Sequence, residues 1–116
     1  MKVLWFSTHF PTQEQVIELE KVLEEKIHIV QFHEKLKLGG GSVIQRMMAI
    51  NNCKEIVAYK MPDFLMGEIM EYGIKPILAD VDILISDTGK KELIFKGFYR
   101  VTQMEKRKES VNKKTA

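Results

Sequence analysis

Apolar residues along the chain follow two alternating rhythms. Val3-Leu4-Trp5-Phe6 is an unbroken apolar run that stops at Ser7-Thr8-His9, and it predicts a first strand over residues 2–7. A helical period then takes over across residues 12–25, where Val16, Leu19, Val22 and Leu23 fall on one stripe. Thr12 and Gln15 are spaced as a capping box that starts this helix. Residues 27–32 return to alternation, with Ile27, Ile29 and Gln31 opposite His28, Val30 and Phe32. A polar connection, 33–38, leads to Gly39-Gly40-Gly41-Ser42, which opens a second helix carrying Val43, Ile44, Met47, Met48 and Asn51 on one face. Asn51-Asn52 ends it. Residues 55–59, centred on Ile56-Val57-Ala58, read as a strand covered on both faces. Pro62 takes the first position of a third helix, where its missing N–H costs nothing. That helix carries Leu65, Met66, Ile69 and Met70, and Gly73 supplies its left-handed stop.

After Gly73 the helical period disappears. Residues 77–86 and 93–104 are two β-type runs joined by the turn Asp87-Thr88-Gly89-Lys90, so they form an antiparallel hairpin. The order βαβαβα followed by ββ predicts an α/β fold. It is a single Rossmann-like domain over residues 1–104, with a mostly parallel sheet, right-handed crossovers and a C-terminal antiparallel hairpin. Residues 105–116 read as a basic, disordered tail.

Composition narrows the function class. The net charge is +2. The final segment contributes Lys106, Arg107, Lys108, Lys113 and Lys114 against Glu105 and Glu109, which leaves the folded body slightly acidic. No duplex nucleic acid is expected as a partner of such a body. No apolar run approaches the length of a membrane span, and the N-terminus lacks the pattern of a signal peptide, so a cytoplasmic location is expected. The single cysteine, Cys53, cannot form an internal disulfide and reads as a small half-buried residue.

The junction after the first strand is the leading candidate site. In open α/β sheets, ligands bind at the carboxyl ends of the strands. Ser7, Thr8 and His9 fall there beside the free amides of the next helix, an arrangement suited to an anion. His9 can act as acid or base or donate to a phosphate; alternatively it caps its loop. Gly40, Gly41 and Ser42 can cradle a phosphate, or form a flexible connection; the P-loop ending Gly-Lys-Ser/Thr is missing. Asp63, past the third strand, either orients a ligand hydroxyl or favours its helix start. Asp80 and Asp82 share a strand face without a third ligand, and His28 and His33 are too sparse for zinc, so neither a metal nor another cofactor is expected. The methionines read as core or interface filler. Phe95, Phe98 and Tyr99 on the hairpin pack the core or a partner chain, and an edge hairpin favours a homodimer.

Three stretches carry a family likeness: Phe6-Ser7-Thr8-His9-Phe10-Pro11-Thr12-Gln13-Glu14-Gln15, Tyr72-Gly73-Ile74-Lys75-Pro76-Ile77-Leu78 and Phe95-Lys96-Gly97-Phe98-Tyr99-Arg100-Val101. Together with the element order, they resemble the small stand-alone CRISPR-associated ring nucleases, which relate to the CRISPR-associated Rossmann fold (CARF) domain. The resemblance implies a homodimer with one symmetric pocket for a cyclic oligoadenylate messenger, opened without metal by attack of a ribose 2′-hydroxyl. On this reading Ser7, Thr8 and His9 contact phosphate or ribose, with Ser7 and His9 as catalytic residues; Gly40, Gly41 and Ser42 form the opposite wall of the ligand site, and Asp63 is a further ligand contact. Some basic residues of the family's site have no counterpart in the sequence. A non-catalytic nucleotide sensor or sponge, and a small interaction protein of a mobile element, remain open beside it.

Overall fold

The structure is a computed structural model that describes residues 1–103. Its elements are β1 (Lys2–Phe6), α1 (Gln13–Leu23), β2 (His28–Phe32), α2 (Gly40–Asn51), β3 (Glu55–Ala58), α3 (Asp63–Glu71), β4 (Ile77–Ile85) and β5 (Lys91–Arg100). They build one five-stranded sheet in the order β2-β1-β3-β4-β5. β1 pairs in parallel with β2 and β3, β3 pairs in parallel with β4, and β5 returns antiparallel to β4. The chain is thus α/β with the mixed sheet its patterning predicts. The last strand ends at Arg100; Met104 and the basic segment 105–116 lie outside the described residues.

Period-two alternation divides the core between the two sheet faces. Val3, Trp5, Val57 and Ile77 pack with Leu19 of α1. Leu4, Phe6, Ile56, Ala58 and Leu78 pack with Ile44 and Met48 of α2 and Leu65, Met66 and Ile69 of α3. The buried line of α1 is Gln15 and Leu19, with Leu23 packed beside it, an i, i+4 ridge. Val22 was expected on the stripe but falls off that ridge and is about half exposed.

Local chemistry fixes the element ends. Thr12 N–H donates to Gln15 Oε1 (2.9 Å) and Gln15 N–H to Thr12 Oγ1 (3.2 Å), which completes the capping box. Pro62 caps α3 from one residue before its start, rather than occupying the first helical position. Asn52 ends α2 in the left-handed conformation.

β3 is short and meets β4 only at Val57–Ile77 and Ala58–Leu78, so the hairpin projects beyond it. Opposite Asp80 and Val81 the register slips at Lys96, and Gly97 (φ 138°) absorbs the resulting bulge. At the other end Arg100 grips Glu55 with both guanidinium arms (3.0 and 2.9 Å) and donates to Lys75 O (2.9 Å). The hairpin is therefore pinned at its base, and its tip is exposed among the described residues.

Candidate functional site

α1 packs on one sheet face and α2 and α3 on the other, so the chain leaves β1 and β3 in opposite directions. The carboxyl ends of these adjacent strands are the topological switch point, where open α/β sheets hold ligands. A cleft of about 750 Å³ opens there, within the range of small-molecule sites. One wall is the β1–α1 loop, with Ser7, His9, Phe10 and Thr12; Tyr59 and Lys60 follow β3. The facing wall is Val81, Ile83, Leu93 and Phe95, which the β4–β5 register places side by side.

The loop is held from beneath. The indole N–H of Trp5 donates to His9 O (2.6 Å), and His9 N–H donates to Ser7 Oγ (3.2 Å). The Gln31 amide on β2 donates to Ser7 O (3.1 Å). His9 is fixed by its backbone, and its imidazole stands exposed at the cleft. Thr8 is exposed and does not line the cleft.

Gln15 joins both sides. Its Oε1 is taken by Thr12 N–H, so its amide Nε2 faces Tyr59 and donates to the phenolic oxygen. The Tyr59 ring meets Trp5 edge to face, centroids 5.5 Å apart. Among the described residues the buried polar side chains are Ser7 and Gln15, and both line this cleft.

Gly40, Gly41 and Ser42 do not supply the opposite wall that the sequence suggests. Gly39 and Gly41 N–H donate to the two carboxylate oxygens of Glu68 on α3 (2.9 and 2.7 Å), and these bonds hold the Glu68 carboxyl below its ordinary pKa. The start of α2 is already capped by an anion from the chain itself. A Cβ on Gly41 would lie 2.5 Å from Glu68 Cβ, and one on Gly40 would lie 2.6 Å from Leu36 Cβ. The glycines let α2, α3 and the preceding loop approach closely. The Ser42 hydroxyl donates back to Gly39 O (2.9 Å) instead of capping the helix. Asp63 opens α3, exposed, and does not line the cleft.

Asp82, His33 and Cys53 are engaged elsewhere in the fold. Asp82 pairs with Lys96 across the bulge (3.1 Å) and raises its pKa. His33 stacks on Phe6, and burial pushes the Cys53 thiol pKa up, away from nucleophilic character. Among the described residues no cluster of three or more His, Cys, Asp or Glu is placed to hold a metal.

Sequence reasoning missed Tyr59, Lys60 and the hairpin wall. The signals were present: Tyr59 continues the alternation of Val57, and Val81, Ile83, Leu93 and Phe95 alternate along their strands. Comparison of the chain with family models, curated proteins and solved structures gives no match. No helix among the described residues is long and apolar enough to cross a membrane.

Proposed function

We propose that the chain binds a cyclic oligoadenylate in this cleft, as a homodimer, and opens the ring by metal-independent attack of a ribose 2′-hydroxyl on the adjacent phosphate. The observation that carries the reading is the make-up of the cleft. The hydroxyl residues Ser7, Thr12 and Tyr59, an imidazole and a lysine stand on one side, and an apolar wall ending in Phe95 stands on the other. Polar donors suit phosphate and ribose, and aromatic surface suits the faces of bases. The hairpin tip supports the dimer. Ile83, Ile85 and Leu93 are 60%, 67% and 70% exposed on one face, with Leu84 and Ile94 exposed on the other. A projecting apolar hairpin is completed by a second copy.

In the reaction the 2′-oxygen bonds to phosphorus while the bond from phosphorus to the 5′-oxygen breaks. The 2′-proton leaves and the 5′-oxygen gains one, giving a 2′,3′-cyclic phosphate and a 5′-hydroxyl. His9 carries the proton, and Ser7 holds the phosphate in line.

Binding without cleavage is a second reading. It is favoured by the sparse charge of the cleft, in which Lys60 is the one lysine or arginine among the described residues that line it. Incubation with cyclic tri-, tetra- and hexa-adenylate in EDTA, followed by chromatography, separates the two. Linear products support the nuclease, and a thermal shift without products supports the sensor. Neither result, with a protein partner recovered, supports an interaction protein. His9→Ala is expected to abolish most turnover at an unchanged melting temperature, because both loop bonds of His9 come from its backbone. Equal loss of turnover and stability returns His9 to a structural role.

A further inference from the structure

We infer that Ser7 and Tyr59 form a two-hydroxyl cradle that donates both of its protons to the non-bridging oxygens of a phosphodiester. The inference rests on reading the cleft as a nucleotide site and adds Tyr59 to it.

The argument comes from hydrogen-bond bookkeeping. A hydroxyl has one proton to give and two lone pairs to receive with. Thr12 N–H can only donate, so Gln15 must present Oε1 to it and Nε2 to Tyr59. The phenolic oxygen is therefore an acceptor in its contact with Gln15, and its proton points elsewhere. The same holds for Ser7: His9 N–H can only donate, so Ser7 Oγ is its acceptor. Neither hydroxyl proton has an acceptor among the described residues.

Ser7 and Tyr59 line the same cleft, and each is held by contacts from within the fold. Ser7 is clamped through the Trp5–His9 bond and by Gln31. Tyr59 is held by Gln15 and by its edge contact with Trp5. With one lone pair of each oxygen already engaged from within and both protons available, the pair favours a ligand rich in acceptors. A phosphodiester presents two accepting oxygens, and Lys60 on the same rim adds charge.

The probe is the dinucleotide ApA, compared with its methylphosphonate analogue, which lacks one non-bridging oxygen and the charge. Binding is read by fluorescence of the single tryptophan, Trp5. Wild type is expected to prefer the phosphodiester. Tyr59→Phe keeps the ring on Trp5 and is expected to cut that preference about tenfold, as for loss of a hydrogen bond to a charged acceptor. Ser7→Ala, measured in parallel, is expected to cut it similarly, which keeps the inference testable if Tyr59→Phe does not fold. Absence of any preference in wild type overturns the inference. So does equal weakening of both ligands, or no weakening, in the variants. If ApA is bound with the expected preference while no cyclic adenylate is bound or cleaved, the cyclic-messenger reading fails and the cradle stands.

Discussion

Two loops at the same edge of the sheet start helices, and they treat their polar groups in opposite ways. At the start of α2 the backbone N–H groups of Gly39 and Gly41 point inward and are consumed by Glu68. Between β1 and α1 Trp5 donates to His9 O and His9 N–H donates to Ser7 Oγ, and the Ser7 hydroxyl proton is left over at a cleft. The glycine-rich loop is saturated, and the hydroxyl-rich loop is poised. Glycine reports that something approaches the backbone closely. What approaches is decided by the element opposite, here α3 and not a ligand.

Gly41→Ala is the strongest way to break the comparison. Its Cβ would have to displace the Glu68 side chain at its root, and overpacking of this kind costs about 1–3 kcal/mol. For a domain of this size each kcal/mol moves the melting temperature by about 4–8 °C. ApA binding per folded molecule is expected to be unchanged. A loss of affinity without a loss of melting temperature would put the glycine loop back into the site.

Thr12→Ala tests the other loop. Loss of the cap costs about 1 kcal/mol, a smaller effect than at Gly41. It also removes the hydroxyl that receives Gln15 N–H; the Thr12 backbone N–H that holds Gln15 Oε1 stays, so the side chain that orients Tyr59 loosens only through fraying of the helix start. Calorimetry and ApA titration are expected to show stability and affinity falling together. Stability falling alone would separate the cap from the cleft.

Much of the fold was legible because it depends on local patterns. Thr12-Gln15 states its capping box in two residues, and the absence of a helical period after Gly73 leaves a hairpin as the only economical solution. The cleft's lining was legible only where one strand end carries it, at Ser7 and His9. Tyr59 depends on β3 lying next to β1, which a strand order of 2-1-3-4-5 creates and no local signal announces. The apolar wall depends on the hairpin overhanging β3, which follows from how short that strand is. Gly40, Gly41 and Ser42 looked like a phosphate loop because the residue that satisfies them, Glu68, stands more than twenty positions away on another helix.

Glu68 gives the gentlest test, because its carboxylate receives the amides of Gly39 and Gly41 at the start of α2. Its folded pKa lies below the ordinary value, since two backbone N–H groups favour the carboxylate. Its contribution to stability is therefore complete above the unfolded pKa of about 4.3 and is lost as pH falls through the lower folded value. Wild type is expected to lose melting temperature over that acid window more steeply than Glu68→Gln, so the two curves converge as pH drops. Glu68 is partly exposed and solvent screens its carboxylate, so the gap between them is small. Parallel curves would mean that the amides of Gly39 and Gly41 are not held by this carboxylate in solution. The start of α2 would then be open to an external anion after all, and the contrast between the two loops would vanish.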